Sequence, residues 1–181
     1  MYYLNNFNPL RKNSKVLEFA PSPAFSNAIQ KKFAIVYHTC DLYMQGVDFK
    51  LDIQNLSSIP HNSYDLVVCS HVLEHVPNDI LAMKNIYSIL ENHGKAIMMV
   101  PILKNTDCID EDPFCVDVSE RWKRFGQDDH IRLYSQKVFI ERIKSAGFSL
   151  SIITEDKISS DELIRYGIPH QFALYIATKV A

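Results

Sequence analysis

Two groups of residues in this chain are of a kind that does chemistry. The first is a set of carboxylates, Glu18, Asp41 and Asp52, each at or near the end of a short apolar run. Acids in that position accept the hydroxyls of a ribose, and Asp41 follows Glu18 by 23 residues, close to the roughly 20-residue offset of a ribose partner. The second group lies in YDLVVCSHVLEHVPND (64–79) and ERWKRFGQDDHIRLYS (120–135). Ser70 and His71 end the apolar run of the first stretch, where ligands of open α/β sheets bind. His71 and His75 stand four apart and can be drawn with Glu74 or Asp79 as a metal cluster. That spacing has meaning only on a helix, Pro77 interrupts one, and a third ligand is missing, so no metal is expected and His75 is assigned a supporting role. The second stretch offers His130 as a general base and Arg124, Gln127 and Arg132 as substrate-binding groups.

Each of these residues needs an element to aim it. Apolar, β-branched runs predict strands at 15–20, 33–39, 47–51, 64–70, 95–101, 148–154 and 172–178. Between them, spacing and caps predict helices at 23–32, 78–92 and 135–146 and a short one near 160–166. Gly94 suits a left-handed position closing the second helix. The alternation implies an α/β fold: a Rossmann-like open, mostly parallel twisted sheet of about seven strands with flanking helices and one antiparallel edge strand. Residues 102–134 break the rhythm. A stretch that long after a strand's carboxyl end is expected to fold over the rim that carries His71, within a single domain spanning 1–181.

Composition narrows the partners. The 181 residues suffice for one core, and 47% hydrophobic with 22% charged residues is ordinary for a globular chain. A net charge of −2 gives no footprint for nucleic acid or an anionic membrane. No apolar run approaches the ~20 residues of a membrane span, and the first residues lack the charged and apolar regions of a secretion signal. Four cysteines without CxxC spacing fit reduced thiols, so the expected location is cytoplasmic. The oligomeric state is not legible.

The turn after the first strand decides which nucleoside is meant. Dinucleotide sites need glycines so that backbone amides can approach a pyrophosphate. Here the turn is Ala20-Pro21-Ser22-Pro23-Ala24, without glycine and with two residues lacking an amide donor. An acid-lined, glycine-poor turn suits a ligand with a ribose and a positive centre but no phosphate.

These stretches together resemble class I S-adenosylmethionine-dependent methyltransferases over roughly residues 15–150. The matching pieces are VLEFAPSP (16–23), CDLY (40–43), LDIQNL (51–56), YDLVVCSHVLEHVPND (64–79) and ILENHGKAIMMVPI (89–102). Within the class, the FAPSP loop and the FGQDDHIRLY segment are similar to a bacterial subgroup. The passage between the second and third strands is short, so one crossover helix of the common fold is expected to be missing. The resemblance implies that S-adenosylmethionine is the cofactor and S-adenosylhomocysteine the product. It implies that Glu18, Phe19 and Ala20 line the cofactor's amino acid side, Asp41 and Leu42 hold the ribose, and Asp52 and Ile53 hold the adenine. Ser70 and His71 would approach the sulfonium and methyl group. The catalytic residues expected are His71 and, from the reading of the mixed-charge stretch, His130. The expected reaction is methyl transfer to a small-molecule or sugar-like acceptor. The alternatives are a catalytically degenerate cofactor-binding domain acting with a partner and, further off, a nucleotide-dependent oxidoreductase or a metal-dependent hydrolase.

Overall fold

A computed structural model describes residues 1–6, 10–168 and 172–181. A short helix α1 (Tyr2–Asn6) precedes β1 (Lys15–Phe19), α2 (Pro23–Lys32) and β2 (Val36–Cys40). After a passage without helix come β3 (Tyr64–Ser70), a single 3-10 turn at Leu73–His75, α3 (Asp79–Ile89) and β4 (Leu90–Met99). The chain continues through β5 (Ile102–Leu103), β6 (Asp110–Glu111), α4 (Val118–Phe125), β7 (Arg132–Ser135) and α5 (Gln136–Ser145). It ends with β8 (Phe148–Thr154), α6 (Ser160–Tyr166) and β9 (Ala173–Lys179).

The main sheet has the order β2-β1-β3-β4-β9-β8. Strands β1 to β4 pair in parallel, while β9 is antiparallel to both β4 and β8. The strand that runs against the others therefore lies one place in from the edge, with β8 outside it. Alternation along the strands supplies both faces with apolar groups, as a sheet buried on two sides requires. Leu17, Phe19, Val67, Cys69 and Met98 join residues of α3 and α5 in one core. Val16, Leu66, Val68 and Ile97 join Ile29 of α2 and Leu4 of α1 in the other.

Two sequence expectations change in the structure. The strand at 47–51 shrinks to one bridge between Cys40 and Phe49, so the main sheet has six strands among the described residues. The reason is local: the Asp48 carboxylate accepts from the backbone N–H of Thr39 at 2.8 Å and from its hydroxyl at 2.7 Å. A side chain takes a donor at the edge of β2 that a further strand would have used. The second expectation is the end of the helix predicted to reach residue 92. Helix α3, capped by the Asn78 side chain on the N–H of Leu81, stops at Ile89 and β4 starts at once. The positive φ in this passage belongs to His93, at 65°. Gly94 answers a different need, because a Cβ there would meet the Glu91 carbonyl oxygen at 2.8 Å and that of Tyr64 at 3.1 Å. Glycine is required by close backbone approach beside the irregular pairing of β3 with β4.

Residues 102–134 carry structure of their own. β5, β6 and β7 form a small sheet with β7 in the middle. It is tied to the passage after β3 by Arg132, which is 1% exposed. Its guanidinium donates to the carbonyls of Leu73 at 2.6 Å, Val76 and Pro77, and through Nε to Glu111. Arg142 of α5 spans Glu111 at 2.6 Å and Asp79 at 2.7 Å, and the Tyr134 hydroxyl donates to Asp79 at 2.5 Å. Buried guanidinium groups are stable only when their donors are used and their charge is met, and here both conditions hold.

Glu111 makes this network sensitive to acid. Burial pushes its carboxyl up, but the hydrogen bonds and charges of Arg142 and Arg132 outweigh that and hold it below the ordinary glutamate value. A depressed folded value contributes stability that is present above the unfolded pKa near 4.3 and is lost as pH falls through the folded value. Urea midpoints of the parent and Glu111→Gln should therefore differ most at pH 6–7, and the gap should close as pH falls below about 4. A gap that persists unchanged at pH 3 would contradict this account.

Candidate functional site

A cleft of about 590 Å³ lies over the carboxyl ends of β1, β2 and β3. Phe19 and Ala20 follow β1 into it, Asp41 and Leu42 follow β2, and His71 and Val72 follow β3. Leu51, Asp52 and Ile53 close one side, His75, Val76 and Pro77 another. From the segment 102–134 come Pro113, Arg121, Asp129 and Ile131. The size falls in the ordinary range for a small-ligand or cofactor site.

Two residues turn the backbone sharply at the mouth of neighbouring strands. Ala20 has φ +49° and His71 has φ +55°. Left-handed backbone is uncommon for residues with a Cβ and clusters at ligand sites. Each is held by a hydrogen bond to the next strand: Ala20 N–H to the Cys40 carbonyl at 3.0 Å, and His71 N–H to the Met99 carbonyl at 2.9 Å.

The first turn offers a phosphate few backbone donors. The Ala20 amide is used by Cys40, the Ser22 amide donates to Glu18 Oε1 at 3.0 Å, and Pro21 and Pro23 have none. The cleft instead presents acids. Asp41 Oδ1 accepts from the amides of Tyr43 and Met44, both at 2.7 Å, which leaves Oδ2 without a hydrogen bond among the described residues. Asp52 accepts from the amide of Gln54 at 2.8 Å and from its side chain. Asp41, Asp52 and Asp129 outnumber Arg121, the single lysine or arginine on this wall. Ile53, Leu42 and Phe19 add apolar surface between the carboxylates. Carboxylates for hydroxyls, apolar surface for a ring and net negative charge fit a cationic nucleoside and do not fit a pyrophosphate.

Other sequence-selected residues sit elsewhere. Glu18 is 3% exposed and faces away from the cleft, accepting from the Ser22 amide, the Ser26 hydroxyl at 2.8 Å and the Tyr37 hydroxyl. Burial raises its carboxyl, partly offset by the Ser22 and Ser26 donors. It holds the turn and is not among the residues lining the cleft. Ser70 ends β3 but is not part of the cleft wall. Arg124 is bound by Asp110 at 2.6 Å and Asp112 at 3.2 Å, and Gln127 by Asp129 at 2.7 Å. Arg132 spends its donors on the backbone of 73–77 and on Glu111. None of these three lines the cleft. His130 is 7% exposed, with Nδ1 donating to the Phe125 carbonyl at 3.1 Å and its ring edge-on to His75 at 4.7 Å. Burial removes it from a freely approaching acceptor.

His71 has a different position. It borders this cleft and a second one of about 1170 Å³ between the end of β4, β5, one side of α5 and the start of β9. Its Nδ1 donates to Glu74 Oε1 at 3.2 Å, which raises its basicity against partial burial that lowers it. Lys104, Lys137, Lys144, Asn105 and Gln136 line the second cleft. These residues escaped sequence reasoning because two separate segments, 104–105 and α5, supply them. The one signal available was the Lys-Asn pair at 104–105, directly after the fifth predicted strand.

A family model described as a methyltransferase domain matches residues 3–151. The chain belongs to that family. No curated protein sequence matches it. The methyltransferase domain also resembles solved structures in fold. One belongs to a Haloferax volcanii complex between the Trm112 methyltransferase activator and a candidate methyltransferase, at TM-score 0.68 and 13% identity, covering 99% of this chain and 88% of that one. Another is a SAM-dependent methyltransferase from Archaeoglobus fulgidus, at TM-score 0.61 and 16% identity, covering 98% and 92%. A third is Haemonchus contortus phosphoethanolamine N-methyltransferase 2 with phosphomonomethylethanolamine and S-adenosylhomocysteine, at TM-score 0.69 and 14% identity, covering 99% of this chain but 52% of that chain.

The strained turn gives a direct test of how the methyltransferase domain builds its cleft. Relief of a left-handed alanine is worth about 1–2 kcal/mol, set against roughly 0.5–1 kcal/mol of extra chain entropy for glycine. Ala20→Gly should therefore unfold in urea at the same or slightly higher concentration than the parent. A loss above about 1 kcal/mol would show that the methyl group, not the backbone, matters at this position.

Proposed function

We propose that the chain transfers a methyl group from S-adenosylmethionine to a small-molecule or sugar-like acceptor. The observation that carries this reading is the acid-lined cleft whose first turn lacks glycine, holds two prolines and spends the Ala20 and Ser22 amides within the protein. Asp41 would hold the ribose hydroxyls through Oδ2, with Leu42 packed beside it, and Asp52 and Ile53 would take the adenine. Phe19 and Ala20 would border the amino acid end, with Glu18 acting only by holding their turn in place. When bound, the cofactor supplies an electrophilic methyl carbon on a sulfonium, and the negative wall of the cleft favours that charge.

The chain's own contribution is alignment and exclusion of water. Correct orientation of two reactants is worth up to about 7–11 kcal/mol of a barrier. The second cleft would hold the acceptor, and its lysines and amides suit a polar molecule of modest size. His71 is the group we assign to proton transfer, because it borders both clefts and keeps Nε2 free to accept while Nδ1 donates to Glu74. His130, whose ring is buried, is not given that task. The segment 102–134 would serve as lid, and the likeness of its FGQDDHIRLY run to a bacterial subgroup belongs to this reading.

Calorimetry with S-adenosylhomocysteine tests the cofactor. We expect one site per chain and at least a tenfold loss of affinity in Asp41→Ala, a change of about 1.4 kcal/mol. Absence of binding to the parent, or equal affinity in Asp41→Ala, would overturn the assignment.

A further inference from the structure

We infer that Glu74, His75 and His130 form a binding site for one divalent transition metal ion of the zinc or iron(II) class. Each of the three offers one ligand atom, and these atoms lie within 4.8 Å of one another. Glu74 has no exposed surface, and its Oε2 has no hydrogen-bond partner among the described residues. An ionised carboxylate oxygen left without a partner in a protein interior is costly, and a cation is the natural way to satisfy it.

The two imidazoles are arranged as metal ligands are. His130 Nδ1 donates to the Phe125 carbonyl at 3.1 Å, and His75 Nδ1 lies 3.2 Å from Asp129 Oδ2. Metal-bound histidines characteristically give one ring N–H to a carbonyl or carboxylate, which fixes the tautomer and leaves the other nitrogen bare. In the His130 ring the bare nitrogen is Nε2. Glu74 is oriented in the same manner, since His71 donates to its Oε1 at 3.2 Å and leaves Oε2 for the ion. The charges of Glu74 and Asp129 balance a dication.

Donor chemistry selects the metal. Two nitrogens and one oxygen suit zinc or iron(II), whereas magnesium and calcium prefer all-oxygen shells. Zinc takes such ligands at about 2.0–2.2 Å, so the three atoms must close by roughly an ångström on loading. Three protein ligands leave coordination positions open. Of the three ligands His75 lines the first cleft, while Glu74 and His130 are buried behind it. The site stands on its own geometry and does not depend on the cofactor assignment.

The test is a titration of the chelator-treated protein with zinc chloride, followed by calorimetry and elemental analysis and done without any cofactor. The parent should take up one zinc per chain. Glu74→Gln, which keeps shape, and His75→Asn, at a half-buried position, should each weaken binding at least tenfold. His130→Asn should abolish it. Circular dichroism on each variant identifies loss of fold, and if His130→Asn does not fold then Glu74→Gln and His75→Asn decide. A parent that binds no zinc, or folded Glu74→Gln and His75→Asn proteins that bind it as the parent does, would overturn the proposal.

Discussion

Arg132 is the constraint on which the upper half of this molecule depends. Its guanidinium takes three backbone carbonyls after β3, and of these Val76 and Pro77 have no other donor among the described residues, while Leu73 also accepts from the Val76 N–H and the Tyr134 hydroxyl. Leaving buried acceptors unmet costs about 1–3 kcal/mol each. The charge is met in turn by Glu111, which Arg142 shares with Asp79. The chain between β3 and α3 thus has one conformation because β7 lies beside it. Glu74 and His75 sit inside that stretch, and His130 sits two residues before Arg132. One side chain therefore brings together groups more than fifty positions apart.

The cleft and its surroundings divide their polar groups by purpose. Glu18 is consumed in holding the first turn, with its oxygens on Ser22, Ser26 and Tyr37, and this permits Ala20 to adopt a left-handed backbone without a glycine. Asp41 and Asp52 remain at the cleft wall. Two acids that look alike in the sequence, each near a strand end, differ because side chains alternate along a strand. Glu18 falls on the face of Val16, toward α2, while Asp41 lies beyond the last residue of β2, at the rim.

Much of the fold was legible in the sequence. Strands β1, β3, β4, β8 and β9 and helices α2, α5 and α6 follow from apolar runs, caps and terminal glycines, since those signals are local. The 47–51 run failed because its backbone needs were met by the Asp48 side chain, which no periodicity records. The segment 102–134 lacked a pattern because its strands are two to four residues long and its order comes from Arg132 and Arg142, not from repeated apolar positions. The cleft residues Asp41, Asp52, Ile53 and His71 were found from strand ends and family likeness. Arg124 and Arg132 were misjudged for one physical reason: a guanidinium in a mixed-charge stretch looks available until its carboxylates are located. The cluster of Glu74, His75 and His130 was invisible for the opposite reason, since its third member arrives from the far side of the fold.

Asp48 also bears on where this sheet stops. Its carboxylate holds the outward N–H of Thr39, and the Phe49 backbone exchanges hydrogen bonds with Thr39 and Asp41. At that end of β2 a stray strand from another chain would find few open donors, and it would have to strip water from a negative charge to reach them. The same residue that deprives the sheet of a seventh strand thereby guards its rim against unwanted extension.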